Sequence, residues 1–138
     1  MREKDFQKKF SKWLRYNNHI NAVYELKLTK TGSLPFNAVK EHQINALQIA
    51  RNYFMIYKIP DDTISQKPFD CFKICNCEAF VVVQFYKPRA NHFYLIDVER
   101  FINERDTSPR KSLTEERAKI IGMICYFTDA AGLDIDLE

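Results

Sequence analysis

The stretch Ala22 to Leu47 reads AVYELKLTKTGSLPFNAVKEHQINAL, and it holds a strand, a polar turn and the opening of a helix in that order. Side chains of an extended strand alternate between faces. Val23, Glu25 and Lys27 therefore share one side, while Tyr24, Leu26 and Leu28 share the other. One side is apolar and the other sets a carboxylate two residues from an ammonium. An exposed ion pair would use the same spacing. So would a metal-dependent phosphodiesterase, in which the glutamate holds a divalent cation and the lysine steadies an attacking water or the charge growing on phosphate.

Working outward, the spacing of Phe6, Phe10, Trp13 and Leu14 predicts a helix over about Lys4 to Arg15. Glu3 falls on or beside that stripe, where the first-turn dipole favours an acid. Ile20 to Leu28 is the expected strand, and Thr29 to Ser33, with Gly32 inside, the turn. A second helix is expected over Asn37 to Phe54 with Val39, Gln43, Leu47, Ala50 and Phe54 on one side. Gln43 would interrupt that face and need hydrogen-bond partners, either backbone or functional.

Strands are then expected at Met55–Ile59, Lys67–Ile74, Glu78–Tyr86 and His92–Val98. The apolar run Ala79 to Val83 reads as a central strand covered on both faces. Phe101 and Ile102 fit a short helix or a strand end, and Asp106 to Pro109 a linker. Ser112 three residues before Glu115 has capping-box spacing, so a last helix is expected from Leu113 to about residue 128, stopped by Ala130-Ala131-Gly132. The predicted fold is α/β, a mixed central β-sheet flanked by helices, in one domain over residues 1–138, with the last helix on the sheet or at a dimer seam.

Length and composition agree. At 138 residues and 16.4 kDa the chain can bury one core. No apolar run reaches the ~20 residues that span a bilayer, and the opening MREKDFQKKF is no signal segment, so a soluble cytoplasmic protein is expected. The four cysteines (Cys71, Cys75, Cys77, Cys125) are read as buried thiols. Zinc would need a fourth ligand brought back from Cys125. The net charge of +3 is mild, but its distribution matters more. Lys8, Lys9, Lys12 and Arg15 crowd the first helix; Lys27, Lys30 and Lys40 flank the turn; Arg105, Arg110 and Lys111 precede the last helix.

The run ELKLTKTGSLPFNAVKEHQINAL resembles the PD-(D/E)xK nuclease superfamily, and within it the RecU-type and phage Holliday-junction resolvases. There a Glu-x-Lys strand is followed by a basic, hydroxyl-rich loop, a Leu-Pro-Phe-like turn and a helix opening near His-Gln. The resemblance is specific over residues 20–50 and looser over Lys67 to Phe101. It implies a restriction-endonuclease-like sheet, a Mg2+ or Mn2+ cofactor, and hydrolysis of DNA at four-way junctions by a homodimer, in the host cytoplasm if phage-encoded. It further implies that Glu25 binds metal, Lys27 positions water, Gln43 orients the lysine or the hydrated ion, and Glu3 is a helix-1 acid reaching the metal. Lys30, Thr31, Ser33, Lys40 and His42 would face DNA.

The chain departs from the family in one respect: no acidic residue lies between Asp5 and Glu25, where the usual aspartate strand would be. Lys67-Pro68-Phe69-Asp70 looks like the Pro-Asp motif displaced downstream, with Asp70 at the sheet margin as the second metal ligand. Asp61 and Asp62 sit in a turn and rank second. The alternatives are a DNA-end or flap nuclease of phage replication and recombination, or a catalytically silent nucleic-acid-binding module on the same fold.

Overall fold

The computed structural model describes residues 2–17, 22–52, 55–58, 71–74 and 77–127. Helix α1 (Glu3–Asn17) leads into strand β1 (Ala22–Thr29), followed by β2 (Ser33–Pro35), a 3-10 turn (Phe36–Ala38) and helix α2 (Glu41–Asn52). Strands β3 (Met55–Lys58), β4 (Cys71–Ile74), β5 (Glu78–Phe85) and β6 (His92–Asp97) come next. Helix α3 (Val98–Thr107), β7 (Ser112–Thr114), helix α4 (Glu115–Ile121) and β8 (Met123–Tyr126) complete the order.

The main sheet has the order β1-β5-β6-β8. β1 and β5 are parallel, and the other two pairings are antiparallel, so the sheet is mixed. A parallel pair cannot be closed by a hairpin and needs a crossover. α2 lies in that connection and packs on both strands it joins. Helices cover the two faces of the sheet, giving the α/β architecture expected.

Two apolar layers follow from the strand alternation. On one face Phe6, Phe10 and Trp13 of α1 pack with Leu26, Val82, Phe93, Leu95, Cys125 and Phe127. The aromatic rings there meet edge to face: Trp13 and Phe93 at 5.0 Å, Phe10 and Phe93 at 5.5 Å. On the other face Val81, Val83, Phe85, Tyr94 and Ile96 meet Ile44 and Leu47 of α2, Phe101 of α3, Ala118 of α4 and the pair Leu34 and Leu113. Cross-strand register places Glu25 beside Val81 and Lys27 beside Val83, so both polar side chains point to this second face. Ala79 to Val83 is a central strand as expected, with Ala79 and all three valines buried.

Three expectations are corrected, and the helix at Phe101 and Ile102 is the one of its two readings that the structure shows, longer than expected. The second helix does not begin at Asn37: Pro35 fixes an extended entry, Phe36–Ala38 make a 3-10 turn, and Val39 is extended before α2 starts at Glu41. Its buried residues are Ile44 and Leu47, a stripe turned from the one expected. Phe101 and Ile102 lie inside a full ten-residue helix, capped by the Asp97 carboxylate, which accepts from the Glu99 N–H at 3.1 Å. Ser112 is not a helix cap; it pairs with Pro35 in the β2–β7 ladder, and Thr114 caps α4 instead, accepting from the Arg117 N–H.

The largest correction concerns the last helix, which ends at Ile121 rather than near residue 128. Gly122 lies where an added Cβ would stand 2.8 Å from Ile96 Cγ1, 2.9 Å from the Leu95 carbonyl oxygen and 3.0 Å from that of Ala118. The chain thereby passes close enough to β6 for Met123–Tyr126 to pair with it as β8. Cys125 and Phe127 are buried, while Ile124 and Tyr126 are 39% and 44% exposed, the period of two that a strand requires. No helix among the described residues is long and apolar enough to cross a membrane.

Candidate metal and nucleic-acid site

The alternation of β1 brings Glu25 and Lys27 together as read from the sequence. Lys27 Nζ stands 3.7 Å from Glu25 Oε2, and the two side chains are 17% and 27% exposed. They are shielded from bulk solvent yet reachable. A carboxylate oxygen is the right donor for Mg2+ or Mn2+, which need further oxygens. Among the described residues, no group of three or more His, Cys, Asp and Glu side chains could hold one ion. Glu25 thus fits as one ligand of a set that it does not complete. Asp70, Asp61 and Asp62 lie outside the described residues.

Glu3 is not brought to this pair. It occupies the exposed first turn of α1, the helix packed on the opposite face, and nearby Phe6 contacts Phe127 just after β8 at the far side of the sheet. Its place is accounted for by the helix dipole. Gln43, half-buried, accepts at Oε1 from the Lys40 N–H at 2.9 Å. This is the back-reaching half of a capping box, and of the two readings of Gln43 it is the backbone one.

The turn after β1 is organised by its hydroxyls. Thr29 and Thr31 both donate to the Ser33 carbonyl, at 2.8 and 3.0 Å, and their own oxygens are 3.1 Å apart. Gly32 takes φ of +84°, a region open to glycine at no steric cost. Lys30 and Thr31 are exposed, Ser33 is half-buried, and Lys40 and His42 project from the start of α2.

Lys40 does not stand alone. A cleft of about 740 Å³ runs between residues 36–41 and 105–111, and four cations line it (Lys40, Arg105, Arg110, Lys111) against the single carboxylate of Glu41. Its walls are tied by the Phe36 N–H, which donates to the Lys111 carbonyl at 3.0 Å, and by Arg105, which pairs with Glu41 at 3.3 Å and Asp106 at 3.0 Å. The loop carrying Arg110 is held by its own N–H donating to Ser108 Oγ. Residues about 70 positions apart thus form one basic surface.

A second cleft of about 800 Å³ lies across the Ser108–Arg110 loop and reaches Gly32. Its charges are mixed and largely paired. Arg117 grips Glu104 through two hydrogen bonds of 2.8 Å, and the guanidinium holds the buried Glu104 carboxyl below its ordinary range. Neither cleft is lined by Glu25 or Lys27.

Sequence reading missed one constellation. Glu115, expected as a capping-box acid, turns to the sheet and is hydrogen-bonded by Tyr94 Oη at 2.8 Å, His92 Nε2 at 2.8 Å and Lys87 Nζ at 3.2 Å. Burial alone would raise its carboxyl, but the three partners outweigh it and bring it down to about 2. The Tyr94 hydroxyl, by burial first and the bond to Glu115 second, is pushed up. No local signal marks this group, because the three donors lie 21 to 28 positions from Glu115. Cys77 is half-buried and its Sγ donates to the Ala50 carbonyl, and Cys125 is buried beneath α1, in keeping with packing thiols.

Comparison with known proteins finds no family model that matches this chain, and no curated protein or solved structure that matches it.

Proposed function

We propose that this protein is a metal-dependent DNA endonuclease that resolves four-way junctions as a homodimer. The observation that carries the reading is the paired Glu25 carboxylate and Lys27 ammonium, 3.7 Å apart on a half-sheltered sheet face, one strand-end away from a hydroxyl-ordered basic turn. Glu25 and Asp70 would hold the cation, Mg2+ or Mn2+. Such an ion, when bound, polarises a phosphoryl oxygen and lowers the pKa of water.

The chain's own residues do the rest. Lys27 can donate to a nucleophilic water or to a non-bridging phosphate oxygen, and its position beside Glu25 holds the ammonium where negative charge gathers. Gln43 acts at one remove, by fixing the first turn of α2 and with it Lys40. Lys30 and Lys40 supply backbone contacts that orient the duplex without reading sequence. A two-fold substrate suits a two-fold enzyme, which is why the dimer belongs to the proposal.

The test is cleavage of a labelled four-way junction and a matched linear duplex, with and without Mg2+, by the parent, Lys27→Ala and Asp70→Asn. Junction cutting that requires metal and is lost in both variants is expected. A Lys27→Ala protein as active as the parent refutes the mechanism. Cutting of the linear duplex or of flaps alone would move the substrate to DNA ends. The basic cleft between residues 36–41 and 105–111, which needs no metal to bind a phosphate backbone, favours one other reading, a silent binding module. A parent that binds DNA and never cuts with either metal would establish it.

A further inference from the structure

We infer that the cleft between residues 36–41 and 105–111 is a seat for the phosphate backbone of duplex DNA, with Arg110 and Lys111 as anchoring residues alongside Lys40. The inference concerns binding alone. It deepens the nuclease reading but stands without hydrolysis.

Three observations support it. The first is the charge balance: of the four cations on the cleft, Arg105 is committed to Glu41 and Asp106, whereas Lys40, Arg110 and Lys111 have no acidic partner among the described residues. All three are exposed. Neighbouring cations left uncompensated repel one another and are stabilised by a partner carrying closely spaced negative charge, which a phosphodiester chain supplies.

The second is preorganisation. The β2–β7 ladder sets Leu34 against Leu113 in the core, and the Phe36–Lys111 bond continues it to the cleft floor. Phe36 packs edge to face on Phe101 of α3 at 5.8 Å, locking the two walls through the interior. The loop of Arg110 is stiffened by Pro109 and by the bond to Ser108 Oγ. Basic side chains on fixed walls lose less freedom on binding than those on a loose tail.

The third is placement. Lys40 stands at the start of α2, and the cleft residues Phe36 and Val39 belong to the core on the sheet face to which Glu25 and Lys27 point, so the cleft lies on that side of the sheet. Lys4 and Lys8 are exposed on α1, the helix packed on the opposite face, and provide a charge-matched control.

The experiment is binding of a fluorescent duplex of about 25 base pairs in EDTA, titrated over a range of KCl. Each phosphate neutralised contributes about 0.9 to the slope of log K against log salt. Arg110→Gln/Lys111→Gln is expected to make the slope shallower by about two and to weaken binding at least tenfold at low salt. Lys4→Gln/Lys8→Gln on α1 is expected to leave the slope unchanged, and the charge-preserving Arg110→Lys/Lys111→Arg to retain most of the affinity. Equal losses from both double-glutamine variants would show that net charge alone drives binding and would overturn the inference. So would a parent that fails to bind the duplex, or one that binds anionic phosphatidylserine vesicles through these residues and not DNA. Because no cutting occurs in EDTA, a parent that binds as described yet never cleaves with metal would refute the nuclease reading and leave this one intact.

Discussion

Replacing Glu115 with glutamine keeps the side-chain shape and removes one charge, which makes it a sharp test of what the Glu115 cluster contributes. Tyr94 is fully buried and Glu115 is 16% exposed, so the bond between them is shielded from water. Lys87 is 64% exposed and adds little. Hydrogen bonds to a charged group contribute about 1.5–3 kcal/mol each and neutral ones about 1 kcal/mol. Losing the charge on the two shielded bonds, to Tyr94 and His92, should therefore cost about 1–4 kcal/mol at pH 7.

The titration gives a second route to the size of the effect. A carboxyl held at about 2 in the folded protein against an ordinary 4.5 corresponds to about 3 kcal/mol of stability. The folded value is the depressed one, so this stability is present in full above about pH 4.5 and is lost as the pH falls toward 2. Urea denaturation of parent and Glu115→Gln at pH 7, 4.5 and 3 measures both quantities. The gap between the two proteins should be nearly the same at pH 7 and 4.5 and clearly smaller at pH 3. A gap that stays constant across the range, or a variant within 0.5 kcal/mol (about a factor of two) of the parent at pH 7, refutes the reasoning.

Two further outcomes follow from single side chains. Gln84 is fully buried, and among the described residues neither its Nε2 nor its Oε1 has a hydrogen-bond partner; Gln84→Met should raise stability by about 1–3 kcal/mol, read as a higher urea midpoint, and a lower midpoint would show that the amide is satisfied in solution. Gly122→Ala sets a methyl group against two carbonyl oxygens and Ile96, so it should lower stability by about 1–3 kcal/mol, whereas an unchanged midpoint would mean that β8 does not approach β6 as closely as described.

Much of this was legible in local pattern. The stripe of Phe6, Phe10 and Trp13, the alternation through β1 and the apolar run of β5 each carry their period within a dozen residues, and each element formed where that period placed it. The candidate pair was legible for the same reason, since Glu25 and Lys27 share a face by alternation alone. The end of the chain was not. Ile120, Ile121, Ile124 and Phe127 satisfy a helical spacing while Cys125 and Phe127 satisfy that of a strand, and a run this short does not choose between them. The open edge of β6 and the bare backbone of Gly122 chose the strand.

Local spacing fixes which segments are apolar, with what period, and which acid and amine lie side by side on one strand, because these depend on neighbours a few residues apart. Long-range packing alone sets Glu3 across the sheet from Glu25, joins Glu115 to Tyr94 and His92, and brings Lys40 into one cleft with Arg110 and Lys111. Those relations join positions tens of residues apart. They are set by strand order, a three-residue ladder and the packing of two cores, for which no local spacing leaves a trace.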